Sequence, residues 1–121
     1  MGCPMPANVR RFVSDDPLVA DLANKIEARY PGHVAGVNRK IRDARGRAVT
    51  EIDIELRNAN IQVKSGGGKG LTRQVIKTMT ISEKPTIAFG PNLGMHVQRS
   101  VERQGALATT DENLLLEVIK P

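Results

Sequence analysis

Hydrophobic residues recur along this chain in two alternating rhythms, and the rhythms divide it into elements. Leu18, Val19, Leu22, Ala23, Ile26 and Tyr30 fall at helical spacing behind Ser14-Asp15-Asp16-Pro17. That lead-in combines capping side chains, early acids and a proline near the first helical position, so a helix of roughly four turns is predicted, ended by Pro31-Gly32. From His33 to Leu56 the period falls to two. One strand over His33–Ile41 and another over Arg47–Leu56 are predicted, joined by a turn at Asp43-Ala44-Arg45-Gly46. Asn58-Ala59-Asn60 turns into a short third strand, Ile61–Lys64. Ser65-Gly66-Gly67-Gly68 interrupts regular structure, and Leu71–Ile81 reads as a second helix with Leu71, Val75, Ile76 and Met79 on one side. Beyond it come an apolar strand over Pro85–Phe89, a helix over Met95–Gln104 stopped by Gly105, and a short strand over Ala106–Thr109. In the last helix Thr109-x-x-Glu112 resembles a capping box, and Leu114, Leu115, Val118 and Ile119 form the apolar side. The predicted order is α-β-β-β-α-β-α-β-α, an α/β sandwich around a mixed sheet.

The alternation also sorts chemistry. In the second strand Thr50, Ile52, Ile54 and Leu56 share one face, while Val49, Glu51, Asp53 and Glu55 share the other. In the third strand Ile61 and Val63 oppose Gln62 and Lys64. If the two strands are neighbours, Asp53, Gln62 and Lys64 converge on one patch. A solvated outer sheet face alternates polar residues in the same way, so the pattern alone does not separate the two readings. The patch suits a hard cation, which takes one or two carboxylates together with carbonyl, water and phosphate oxygens. Asp53 supplies a carboxylate and Val63 a main-chain carbonyl. Lys64 would steady charge developing on a phosphate.

At 121 residues the chain fits one domain. Aromatic residues are scarce, with Phe12, Tyr30 and Phe89 alone, which argues against a stacking platform for single-stranded bases. The net charge of +5 favours a polyanionic partner, nucleic acid or an acidic protein. Arg39, Lys40, Arg42, Arg45 and Arg47 concentrate that charge at the hairpin tip, and Lys69, Arg73 and Lys77 extend it along the second helix. Residues 1–13 are expected to form a flexible lead-in. Cys3, between Pro4 and Gly2, is the one cysteine, so no intrachain disulfide forms and a catalytic thiol there is not expected. No apolar run is long enough for a membrane span and no signal peptide is visible, so a soluble protein without a membrane anchor is expected. His33 and His96 lack metal-ligand spacing. The glycine run is not a P-loop, because Lys69 is followed by Gly70.

Glu51-Ile52-Asp53-Ile54, eight intervening residues and Gln62-Val63-Lys64-Ser65-Gly66 together resemble the signature of the PD-(D/E)xK nucleases. The resemblance covers roughly residues 15 to 90 and implies a restriction-endonuclease-like core, with residues 14–121 as one nuclease domain. It implies hydrolysis of phosphodiester bonds in DNA or tRNA with Mg²⁺ or Mn²⁺. Asp53 would bind the metal, Glu27 on the first helix and the carbonyl of Val63 would support it, Gln62 would orient the attacking water, and Lys64 would stabilise charge. The basic charge at the hairpin tip and along the second helix, and not the resemblance, predicts that Arg42, Arg45, Lys69 and Arg73 grip the substrate backbone. Gln62 departs from the usual acid at its position, as in the resolvase-like branch. Lys64-Ser65-Gly66-Gly67-Gly68-Lys69-Gly70-Leu71 is also similar to small toxin domains of contact-dependent inhibition effectors. That similarity implies secretion as the C-terminal part of a larger effector, action in a target-cell cytoplasm, and an acidic immunity protein as partner. A resolvase-like housekeeping or phage nuclease and a non-catalytic nucleic-acid-binding module remain open alternatives.

Overall fold

The structure, a computed structural model, describes residues 10–121. Helix α1 (Pro17–Arg29) is followed by strands β1 (Val34–Arg42), β2 (Ala48–Leu56) and β3 (Asn60–Val63). Then come α2 (Leu71–Ile81), β4 (Thr86–Phe89), α3 (Met95–Arg103), β5 (Leu107–Thr109) and α4 (Glu112–Val118). The strands form one five-stranded mixed sheet in the order β1-β2-β3-β4-β5. β1 to β3 are antiparallel neighbours, joined by short turns; β3, β4 and β5 run parallel, each joined to the next through a helix.

Alternation in the central strands feeds two cores. Ile54, Leu56, Ile61, Val63, Ile87 and Phe89 pack with Val19, Leu22 and Ile26 of α1 and Leu115 and Leu116 of α4. Ala88 and Ala108, with Ala106 just before β5, point the other way, against Leu71 and Val75 of α2 and Val101 of α3. Helices therefore cover both faces, and β3 and β4 are buried along their whole length. Gly90 ends β4 where a β-carbon would strike the main-chain oxygen of Lys64, so glycine keeps the two parallel strand ends in contact.

Asp16 caps α1 by accepting from the Leu18 N–H, with Pro17 at the first helical position as the sequence predicts. Other local expectations change in the folded chain. At α4 the cap is Asp111, which accepts from Asn113 and Leu114; Thr109 Oγ1 instead accepts from the Asp111 N–H. The buried side of α4 is Leu115, Leu116 and the following Ile119, which pack into the core shared with α1, whereas Leu114 and Val118 are exposed. On α2 the buried residues are Leu71, Val75 and Thr78, while Ile76 is exposed. The sheet presents polar Gln62 to this helix, and a hydroxyl meets it better than a methyl group. Of the expected lead-in, residues 1–9, with Cys3, lie outside the described residues. Residues 10–13 are strapped onto α1: the Phe12 N–H donates to Asn24 Oδ1 at 2.8 Å, and Asn24 Nδ2 donates back to the Phe12 carbonyl. Among the described residues no helix is long and apolar enough to cross a membrane.

Candidate active site

β2 and β3 pair at Glu55–Asn60 and Ile54–Ile61, and the ladder stops there. Continued register would set Val63 opposite Ile52. Instead the Val63 N–H donates to the side chain of Asp53, at 2.8 Å from Oδ2. β3 stays with β4 as far as Val63–Phe89, and the Lys64 N–H donates to the Phe89 carbonyl at 2.9 Å. The strands therefore part at Asp53, and a cleft of about 620 Å³ opens between them. Lys64 and Ser65 line it from the end of β3, Glu51 and Asp53 from β2, Asn38 and Lys40 from β1, and Gln74 from α2. Ser14, Asp15 and Asp16 close it at the start of α1.

Four carboxylates and two ammonium groups share this cleft, so its field is negative with lysines set into it. Burial pushes the Asp53 carboxyl up from 3.8 to about 6. The Val63 N–H pulls it back, the Glu51 charge pushes it further, Lys64 opposes that push and Asp16 adds to it. Glu51 is held by Asn38, whose Nδ2 donates to Oε1 at 2.9 Å. Asn38 has φ of 51°, a left-handed conformation that asparagine tolerates better than most residues. Every charged or amide side chain lining it offers oxygen or nitrogen, and among the described residues that line it none is a cysteine or a histidine. That donor set fits a hard cation such as Mg²⁺ or Mn²⁺. Among the described residues, no three His, Cys, Asp or Glu side chains gather closely enough to hold a metal by themselves.

The structure brings Asp53, Val63 and Lys64 together and leaves Gln62 and Glu27 elsewhere. Gln62 is fully buried between sheet and α2, where Nε2 donates to Thr78 Oγ1 at 2.7 Å and Oε1 accepts from Gln74 Nε2 at 2.8 Å. Its amide is occupied by these partners and does not line the cleft, so the water-orienting role expected for it has no place in this geometry. Glu27 is also fully buried, but it faces the end of its own helix. Its carboxylate accepts from the Gly32 N–H at 3.1 and 3.2 Å and from the Arg10 N–H at 3.3 Å, with the Arg10 guanidinium 4.0 Å away. Glu27 holds the α1–β1 turn and the strap before α1, away from the cleft. Glu55 lies outside it too. Burial alone would raise its carboxyl, but hydrogen bonds and charges from Arg39 and Lys84 outweigh that and hold it below the usual range.

The expected backbone-gripping residues separate into two groups. Arg42 and Arg45 are exposed at the hairpin tip, with Arg42 Nη1 donating to the Gly46 carbonyl. Lys69 and Arg73 line a second, shallow depression between α2 and α3, beside His96 and Ser100. Lys40 reaches the main cleft itself. Sequence reasoning missed Asn38, for which no local signal exists, and read Asp15 and Asp16 as helix-start residues only. His33 is structural: Nε2 lies 2.8 Å from the Ile119 carbonyl. No protein-family model, curated protein or solved structure matches the chain.

Proposed function

We propose that the chain is a metal-dependent nuclease of the PD-(D/E)xK type, hydrolysing phosphodiester bonds in DNA or tRNA. The observation that carries this reading is the parting of β2 and β3, with Asp53 on one side and Lys64 on the other at the head of one cleft. Sheet faces that are merely solvated do not desolvate a carboxylate beside a lysine. Asp53 would hold Mg²⁺ or Mn²⁺, with the Val63 carbonyl and the substrate's own phosphate supplying further oxygens. When bound, the ion supplies charge to polarise the phosphate and to ease deprotonation of water.

The chain's own residues do the rest. Lys64 neutralises a non-bridging phosphate oxygen as charge builds there. Lys40 steadies the approaching backbone. A water oxygen bonds to phosphorus while the bond to the leaving oxygen breaks. The water's proton goes to solvent, and the leaving oxygen takes one from solvent. The positive net charge supports a nucleic-acid substrate and, for a small toxin domain, an acidic immunity protein. Secretion within a larger effector belongs to the same reading.

Gln62 favours one rival. Its amide is committed to Thr78 and Gln74, so the family's second metal-facing position is lost, as it would be in a module that binds nucleic acid without cutting it. Cleavage of plasmid DNA and total tRNA with Mg²⁺, Mn²⁺ or EDTA, by the native chain, Asp53→Ala and Lys64→Ala, decides between them. Metal-dependent cutting lost in both variants supports the nuclease. Folded native protein that cuts neither substrate and gives no heat with either ion supports the binding module.

A further inference from the structure

Between the sheet and α2 runs a short series of hydrogen bonds whose direction is fixed at both ends. Thr78 Oγ1 lies 2.9 Å from the main-chain oxygen of Gln74, which only accepts, so the Thr78 hydroxyl proton points there. Thr78 Oγ1 must then receive the bond from Gln62 Nε2 at 2.7 Å, and Thr50 donates across the 3.2 Å contact between the two threonine hydroxyls. With its NH₂ turned to Thr78, Gln62 turns Oε1 towards Gln74 Nε2, 2.8 Å away. The same Nε2 lies 3.1 Å from the Glu51 carbonyl, again an acceptor only. Both hydrogens of the Gln74 amide are thereby directed into the protein. Gln74 lines the cleft, and with both amide hydrogens committed Oε1 is its side-chain polar atom without a partner among the described residues.

We infer that Gln74 is a catalytic residue of this cleft, its amide oxygen accepting a hydrogen bond from the attacking water, and that Gln62 and Thr78 are positioning residues that hold it in that orientation. The inference rests on the nuclease reading of the cleft. An amide oxygen orients water without taking its proton, which still leaves to solvent as the water oxygen bonds to phosphorus. It also adds an acceptor without adding a charge. A carboxylate at position 74 would crowd a fifth negative group among Asp15, Asp16, Glu51 and Asp53. The same wiring accounts for glutamine at position 62. That side chain is fully buried and must donate at one end and accept at the other, which an ionised glutamate does not do.

Two measurements test this on the intact chain. In side-chain NMR of the wild-type protein, the Gln74 NH₂ protons should exchange with solvent at least about tenfold more slowly than those of exposed Gln104. Exchange as fast as Gln104 would overturn the assigned orientation, and this readout needs no variant to fold. In cleavage assays Gln74→Leu should lower kcat about 100-fold with KM little changed. Thr78→Val should lower kcat less, and should add nothing in the Gln74→Leu background. Independent, additive losses would show a merely structural network and sink the assignment. Cleavage lost in Asp53→Ala but undiminished in Gln74→Leu would overturn this inference alone. Cleavage that survives Asp53→Ala would overturn the nuclease reading and this inference with it.

Discussion

The main-chain N–H of Val63 donates to the side chain of Asp53 at 2.8 Å, where a regular ladder would have given it a carbonyl of β2. One hydrogen bond thus ends the β2–β3 pairing, keeps a buried N–H satisfied and fixes the carboxylate at the head of the cleft. Asp53→Asn keeps an acceptor oxygen for Val63 and removes the charge. We expect it to unfold at higher denaturant than wild type at pH 8 without metal, by about 2 kcal/mol, because the cost of burying the carboxylate disappears. Cleavage should fall by roughly 100-fold or more. Equal stability of the two proteins in urea titrations would argue against a desolvated Asp53.

The elevated Asp53 carboxyl also sets a pH dependence. Folding raises it from 3.8 to about 6, so the cost is fully present above pH 6, where both states are ionised. As pH falls from 6 towards 3.8 the folded state takes up the proton first, and the cost, at most about 3 kcal/mol, is relieved. The stability difference between wild type and Asp53→Asn should therefore shrink across that window in metal-free urea titrations. Cleavage should move the opposite way. At limiting Mg²⁺, kcat/KM should rise through about pH 6 with Asp53 ionisation, and saturating Mg²⁺ should shift the midpoint lower. A midpoint that does not respond to metal concentration would separate Asp53 from the cation.

Glu27 should behave as a folding residue. Glu27→Ala leaves the Gly32 N–H without its carboxylate and opens space under α1, for an expected loss of about 2–3 kcal/mol. Activity per folded molecule and Mg²⁺ affinity should stay near wild type. Thermal melts and calorimetry check both. Loss of metal affinity at unchanged stability would return Glu27 to the metal site.

The hairpin tip separates free from committed arginines. Arg39 is bound to Glu55 at 2.7 Å and Arg47 to Asp43 at 3.3 Å, whereas among the described residues no carboxylate lies within salt-bridge distance of Arg42 or Arg45. Replacing Arg42 and Arg45 by glutamine should weaken DNA binding and reduce the slope of log affinity against log salt by about 0.9 per lost phosphate contact. Arg39→Gln should change the slope little and stability more. Binding titrations at several salt concentrations distinguish these, and an unchanged slope in the Arg42/Arg45 double variant would remove the tip from the substrate path.

Much of the fold is local and is legible in the residues themselves. The succession of helices and strands follows from apolar periods of 3.6 and 2, and the turns and caps from Asp16-Pro17, Pro31-Gly32 and Asp43–Gly46. Asp53 and Lys64 were visible for the same reason: adjacent strands joined by a short turn must lie side by side. What the local pattern could not set was the rotation of each helix about its axis and the point where two strands part. Those depend on packing between elements distant in sequence. They turned Glu27 towards Gly32, sank Gln62 against Thr78, and brought Asp16, Asn38 and Gln74 from three separate elements to one cleft.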